Sequence, residues 1–169
     1  LTAIYGLGEN IVQGRVTPDG YYVHKETFRE GFRAVVYRRL GAKELTLAFD
    51  PREGRLKNRP TPLHLRNRFA LRDEEVLLLA DWALKIEDHY SRKRGSPTPM
   101  DIEWAKDGPT GELFVLQARP ETVHSQKTPV LRVFRLLKRG EVLAEGLAVG
   151  EAIAAGRARI LKDPKEMDR

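Results

Sequence analysis

Between Met100 and Thr122 the chain reads MDIEWAKDGPTGELFVLQARPET. Four of these residues, Asp101, Glu103, Gln117 and Arg119, carry side chains suited to holding a metal ion and a phosphate. Carboxylates two apart on a strand can offer hard oxygen ligands to Mg²⁺, which takes one or two protein carboxylates and fills its other positions with water and substrate phosphates. The Arg119 guanidinium can make forked hydrogen bonds to a phosphate, and the Gln117 amide offers both donor and acceptor. The plainer alternative is a solvated strand face with cross-strand polar pairs worth about a few tenths of a kcal/mol. Spacing alone favours that alternative, because short motifs often match by chance.

The elements that must position these residues are read from alternation, since residues two apart on a strand share a face. Met100, Ile102 and Trp104, with Phe114, Leu116 and Ala118, predict a buried face. The opposite face holds Asp101, Glu103, Gln117 and Arg119 among Ala105, Leu113 and Val115. The run Asp107-Gly108-Pro109-Thr110-Gly111 has the chemistry of a turn and closes the two strands into a hairpin. With Lys106 opposite Glu112, Asp101 would face Gln117 and Glu103 would face Val115. A slip of one residue would mix the polar and apolar faces, which disfavours it.

Composition narrows the class. A chain of 169 residues with 32% charged and 41% hydrophobic residues is ordinary for a soluble globular protein, long enough for one domain core or for one domain and a piece of another. The absence of cysteine excludes disulfides, thiolate metal sites and cysteine nucleophiles, and it fits a cytoplasmic location. No apolar run is long enough to span a bilayer and no leader-like segment opens the chain, so no membrane partner is expected. The chain starts at Leu1 in strand-like sequence, which suggests a missing upstream segment. A net charge of +6 raises nucleic acid as a partner, but the basic residues are spread along the chain without a basic helix or an aromatic-interleaved RNA motif. Nucleic-acid binding is therefore not expected, since basicity alone supports only non-specific phosphate attraction.

Residues 1–40 read as β-structure. Gly6 and Gly8 beside Glu9 allow close backbone approach, Ile11-Val12 and Tyr21-Tyr22-Val23 look strand-like, and Thr17-Pro18-Asp19-Gly20 is a turn. Two glycines and one acid read as a bulge or turn more readily than as a phosphate or metal site. Two further strands are predicted over Ala34–Tyr37 and Glu44–Phe49. Residues 51–68 read as a surface excursion, with His64 an exposed loop residue. A helix is predicted over 73–90, begun by Asp73 and carrying Val76, Leu79, Ala80, Ala83, Ile86, Glu87 and Tyr90 at helical spacing with one polar exception. His89 near its end reads as a surface residue. Residues 91–99 form a basic loop, 131–137 a strand, and a glycine-punctuated stretch of short strands follows from Gly140.

The residues also carry a resemblance. Gly6-Leu7-Gly8-Glu9 with Val12-Gln13-Gly14, then Pro18-Asp19 and Tyr22-Val23-His24-Lys25, is similar to the phosphoenolpyruvate synthase (pyruvate, water dikinase) family. The resemblance is closer over Met100–Gly108, with Gly111 and Gln117-Ala118-Arg119-Pro120-Glu121-Thr122-Val123. Ala144-Glu145-Gly146 with Ala148, Gly150, Ile153 and Ala155-Gly156 resembles the opening of that family's phosphohistidine domain. The resemblance covers nearly the whole chain and is weakest at SRKRGSPTP, residues 91–99, which look longer than the family's connector.

The resemblance implies an α+β fold: an ATP-grasp-like antiparallel sheet with a packing helix, followed by a short β-rich C-terminal segment. Residues 1–124 would be the C-terminal portion of an ATP-grasp nucleotide-binding domain, 125–139 a linker, and 140–169 the truncated start of a swivelling phosphohistidine domain. The implied chemistry converts ATP, pyruvate and water to phosphoenolpyruvate, AMP and phosphate through a phosphohistidine, as in gluconeogenesis. ATP is the implied substrate and Mg²⁺ the cofactor. Glu103 would hold Mg²⁺ and contact the nucleotide, with Glu9 as a second such residue. Gln117 and Arg119 would bind the nucleotide and stabilise the transferring phosphoryl groups. Asp101 would be a supporting acid. None of His24, His64, His89 or His124 has the context of the phosphorylated histidine. That histidine, the upstream phosphate-binding Lys and Arg, and the pyruvate-binding barrel are expected outside these residues as partner domains, so the chain alone is expected to be inactive. The alternatives are a related phosphohistidine dikinase with another acceptor, such as a rifamycin-type antibiotic, and a non-catalytic basic module for nucleic acid.

Overall fold

The computed structural model describes residues 1–121, 135–146, 153–157 and 160, and the statements below concern those residues. Seven strands and four helices follow in chain order: β1 Thr2–Ala3, α1 Glu9–Val12, β2 Asp19–Val23, α2 Lys25–Arg29, β3 Val35–Arg39, β4 Leu45–Asp50, β5 Arg55–Pro60, α3 Leu63–Arg66, α4 Asp73–Arg94, β6 Met100–Lys106 and β7 Leu113–Pro120. Every strand pairing is antiparallel, in a sheet ordered β1-β2-β3 and in the two hairpins β4-β5 and β6-β7. The expected α+β class with antiparallel sheets and a packing helix is thus observed. The linker expected at 125–139 lies largely outside the described residues, as do His124, the Thr122-Val123 end of the motif and much of 140–169. The β-rich C-terminal segment is not borne out where it can be seen, since residues 140–146, 153–157 and 160 form no strand.

The core is the underside of α4 against the first sheet. Val76 and Leu79 of α4 pack with Ala3, Tyr21 and Leu71, and Trp104 and Leu113 of the last hairpin close over one side. Burying such side chains contributes about 1.5–3 kcal/mol each. A polar knot beside this cluster fixes the sheet to the segment that leads into α4. Asp19 and Lys43 are both fully buried. Lys43 Nζ donates to Asp19 Oδ1 at 2.5 Å and to the Gly41 carbonyl at 2.9 Å. The Gly41 N–H donates to the same carboxylate at 2.8 Å, and the Ala70 N–H donates to Asp19 Oδ2 at 2.8 Å. A Cβ at Gly41 would stand 2.2 Å from the Pro18 carbonyl carbon, so no larger residue fits against Thr17-Pro18, where the structure has the approach to β2 and not the turn expected over 17–20. Next to it, Tyr21 Oη accepts from the Leu71 N–H at 3.1 Å, and burial pushes the Tyr21 phenol up to about 12.

Several expectations need correction. The first 40 residues are not all β, because Glu9–Val12 and Lys25–Arg29 are single helical turns. Ile11 and Val12 favour strands locally, but Asn10 between them and Glu9 is buried and donates from Nδ2 to Asn58 Oδ1 at 2.8 Å, a contact 48 residues away that propensity does not carry. Of the two glycines read as a close approach, only Gly6 is one: a Cβ there would lie 2.3 Å from the Leu47 carbonyl oxygen, while Gly8 faces open space. The surface excursion at 51–68 contains β5 and the turn α3; its charged residues conceal a strand that pairs with β4 from Asp50–Arg55 to Leu45–Pro60. His64 lies on α3, exposed as expected. The long helix runs on to Arg94, so the basic residues of the expected loop belong to the helix and 95–99 carries none. Its last turn is basic, which suits the negative end of the helix dipole, and Gly95 closes it with a left-handed φ of 70°.

The hairpin β6-β7 also departs from its expected register. Lys106 lies opposite Leu113, one residue out from the expected register, because the loop closes on six residues, with the Asp107 N–H donating to the Glu112 carbonyl at 2.8 Å. One slip alone would move Gln117 and Arg119 to the far side. A bulge at Leu116 adds a second residue: Trp104 pairs with Val115, but Glu103 pairs with Gln117 and Asp101 with Arg119. Two displacements restore the parity of a period-two strand, so the four polar residues share one face after all. Between turn and bulge the parity stays inverted. Leu113 therefore packs on the core while Phe114 and Leu116, expected inside, are 47% and 65% exposed.

Two stability measurements check this description. Asp19→Asn leaves a buried ammonium unpaired and is expected to cost about 3–5 kcal/mol in equilibrium denaturation; a cost below about 1 kcal/mol would mean the knot is not a buried ion pair. Leu113→Ser is expected to cost about 1–2 kcal/mol and Leu116→Ser less than about 0.5 kcal/mol. The reverse order would restore the simple alternating register.

Candidate functional site

The polar face of β6-β7 looks outward. Asp101, Glu103, Gln117 and Arg119 are all exposed, while Ile102, Trp104 and Ala118 on the other side are partly buried. Arg119 Nε lies 3.7 Å from Asp101 Oδ2, directly across the strands. At that distance the pair is an exposed electrostatic contact worth less than about 1 kcal/mol. It leaves the terminal nitrogens of the guanidinium fork open. The side chains of Glu103 and Gln117, also directly opposite each other, make no hydrogen bond or ion pair among the described residues. An unengaged carboxylate between an amide and a half-free guanidinium matches the donor set of a hard cation carrying phosphate oxygens, whose remaining positions are filled by water and ligand.

Glu9 stands apart from this group. It is exposed at the start of α1, which packs on β4, whereas the hairpin packs on α4. Among the described residues no group of three or more His, Cys, Asp or Glu side chains is placed to hold a metal ion. The face alone thus offers the carboxylate ligands of one wall. The histidines have other roles: His24 caps α2 by accepting from the Thr27 N–H, and the His89 ring meets Tyr90 edge-on at 5.3 Å.

Two residues that sequence reasoning passed over hold the hairpin from behind. Glu75, buried in the first turn of α4, accepts from the Arg72 N–H at 2.9 Å and so caps its own helix. Its other oxygen meets Lys106 Nζ at 2.6 Å, joining α4 to the end of β6. Burial pushes the Glu75 carboxyl up, but the bonds from Lys106 and Arg72 outweigh burial and hold it below the ordinary glutamate value. An acid in the first helical turn was the available signal, but Arg72 at the cap position hides the usual capping pattern. At the turn, the Asp107 carboxylate accepts from the Thr110 N–H and hydroxyl at 2.8 Å each, and the Thr110 N–H keeps that carboxyl below its usual value.

Much of the positive charge is used in ion pairs. Lys25 pairs with Glu87, Arg29 with Asp88, Arg33 with Glu74 and Arg38 with Asp73, a ladder tying α2 and β3 to α4. Arg59 pairs with Asp50, and Arg55 and Lys57 with Glu53. Such pairing breaks up the continuous basic stripe that a nucleic-acid backbone would follow. No helix among the described residues is long and apolar enough to cross a membrane.

Comparison with known proteins adds an independent line. Residues 1–133 match the family model of the pyruvate phosphate dikinase AMP/ATP-binding domain. A phosphoenolpyruvate synthase of Synechocystis sp. is 49% identical over 171 residues, covering 100% of this chain and 21% of that protein. Those of Aquifex aeolicus and Escherichia coli K12 are 46% and 44% identical over 100% of this chain and 20% and 21% of their own lengths. The chain therefore spans about a fifth of the length of the curated relatives it matches.

Glu75 gives the site a pH signature. Its carboxyl titrates lower folded than unfolded, so its contribution is complete above the unfolded value of about 4.3 and is lost as pH falls through the folded value. Wild-type protein should lose stability over that window more steeply than Glu75→Gln, as read from denaturation midpoints between about pH 6 and 3. Equal slopes would show that the Glu75 bonds do not discriminate the ionised form.

Proposed function

The chain belongs to the pyruvate phosphate dikinase AMP/ATP-binding domain family, and on that premise we propose that it is part of the ATP-binding unit of a phosphoenolpyruvate synthase. The whole enzyme would convert ATP, pyruvate and water to phosphoenolpyruvate, AMP and phosphate, through a phosphohistidine carried on a domain beyond the one described. One observation carries this reading: the displaced register and the bulge at Leu116 together bring Glu103, Gln117 and Arg119 onto one exposed face within a family whose model is named for AMP and ATP binding. The names of the relatives support pyruvate as the acceptor over an antibiotic. The same reading includes an ATP-grasp arrangement for residues 1–124, a linker at 125–139, the start of a phosphohistidine domain from Gly140, and a cytoplasmic location.

The residues have distinct parts in this scheme. Glu103 holds Mg²⁺ together with the nucleotide phosphates, with Glu9 as the further ligand if closure of the complete domain brings α1 to the face. Bound there, Mg²⁺ supplies neutralisation of phosphate charge. Arg119 lays its guanidinium fork against phosphate oxygens and meets the charge that develops on them during transfer. Gln117 fixes the orientation of the same group through its amide. Asp101, opposite Arg119, keeps the guanidinium over the strand face. Catalysis of phosphoryl transfer depends chiefly on such positioning and charge stabilisation, which this face is equipped to provide.

In the full-length protein, Arg119→Met is expected to lower pyruvate-dependent AMP formation by about 10²–10³-fold, with Glu103→Gln raising the Mg²⁺ requirement. The isolated 169-residue chain is expected to release no AMP from ATP and pyruvate. Parent-like turnover by both variants would sink this reading. A steep, salt-dependent isotherm with duplex DNA and no response to ATP·Mg²⁺ would instead favour the nucleic-acid module.

A further inference from the structure

We propose that Lys106 and Glu75 form a positioning clamp that sets the angle of the nucleotide–metal face; the inference rests on the reading of that face given above. Neither residue belongs to the face. Lys106 ends β6 on the side turned to α4, three residues beyond Glu103, and its Nζ lies 2.6 Å from Glu75 Oε1. The Glu75 side chain is 8% exposed and Lys106 34%, so the pair joins a buried carboxylate to a partly exposed ammonium. The loop lies against the lysine stem, since a Cβ on Gly111 would stand 3.8 Å from Lys106 Cε.

The clamp matters because of what lies on either side of it. Among the described residues, Trp104 and Leu113 of the hairpin add apolar contacts to the core, which hold surfaces together without fixing a direction, and ahead of β6 the Thr98 N–H donates to Ser91 Oγ at the far end of α4. A 2.6 Å ion pair to a buried carboxylate tethers one defined point of β6 to α4. Behind Glu75 the bonds continue without a gap. Its second oxygen accepts from the Arg72 N–H, the adjacent Leu71 N–H donates to Tyr21 Oη, and the Ala70 N–H donates to the buried Asp19 carboxylate. Glu103 is thus referred, through Lys106, Glu75 and three successive backbone amides, to the most buried polar group of the fold. Sites of this kind tolerate about 0.5 Å of misplacement, and loss of a supporting contact typically weakens metal binding about tenfold or more.

The experiment uses the full-length protein and measures AMP formation while Mg²⁺ is varied. Lys106→Met is expected to raise the Mg²⁺ concentration for half-maximal rate about tenfold, with Lys106→Arg recovering most of the loss. Glu75→Gln keeps an oxygen for the helix cap but loses the charge, and should act like Lys106→Met. The double variant should be no worse than either single one, because both remove the same contact. A merely structural role would lower the melting temperature and leave the Mg²⁺ requirement at the parent value, which overturns the clamp, as would additive losses in the double variant. Should Lys106→Met not fold, Lys106→Arg and Glu75→Gln still decide the matter. Glu103→Gln with the parent Mg²⁺ requirement would remove the site reading itself, a result distinct from failure of the clamp alone.

Discussion

The structure depends on one buried ion pair. Asp19 and Lys43 are both withdrawn from water, and removing two charges from solvent costs several kcal/mol apiece unless every remaining hydrogen-bonding position is answered. Here the answers come from backbone: Gly41 N–H and carbonyl, and the Ala70 N–H. To reach them Lys43 adopts a left-handed backbone with φ 43°, the one non-glycine among the described residues to do so. The pair therefore imposes where β2 begins, how the 40–44 segment folds back over it, and where the chain stands two residues before the α4 cap. Removal of either charge would leave its partner stranded.

From that knot order passes outward through polar contacts rather than through a large core. Tyr21 and Leu71, then Arg72 and Glu75, then Lys106, lead to the hairpin, while the ladder from Lys25 to Arg38 fastens α2 and β3 along α4. A small α+β unit with few fully buried side chains relies on such directional contacts to specify geometry. The net positive charge takes on a different meaning in this light. Many of the cations that suggest a polyanionic partner in the sequence are engaged with carboxylates on neighbouring elements, whereas Arg119 has only a loose partner and lies where a phosphate can reach it.

The candidate face was legible because its chemistry is local. Asp101, Glu103, Gln117 and Arg119 announce themselves by residue type, and the period of a strand places them together under any register of the right parity. The register itself was not legible. The expected pairing and the observed one differ by a slip at the turn and an extra residue at Leu116, which cancel for the polar residues and fail to cancel for Phe114 and Leu113. Alternation therefore identified the functional side and misassigned the apolar residues nearest the turn. The strand β5 was hidden for a related reason: its Arg and Lys residues face solvent and neighbouring acids, so no apolar pattern marks it.

The amino-acid sequence by itself determined the long helix, the turn at Asp107–Gly111 and the four polar residues, because each rests on residues close in the chain, and it carried the family resemblance through motifs spread along nearly its whole length. Tertiary structure alone decided that Asn10 reaches Asn58 and makes a helix of strand-forming residues, that Asp19 finds Lys43, and that Glu75 finds Lys106. These partners are 24 to 48 residues apart, and their energies come from desolvation and geometry that exist only once the chain has folded. The chemistry of the face was written locally, and its aim was set by the contacts behind it.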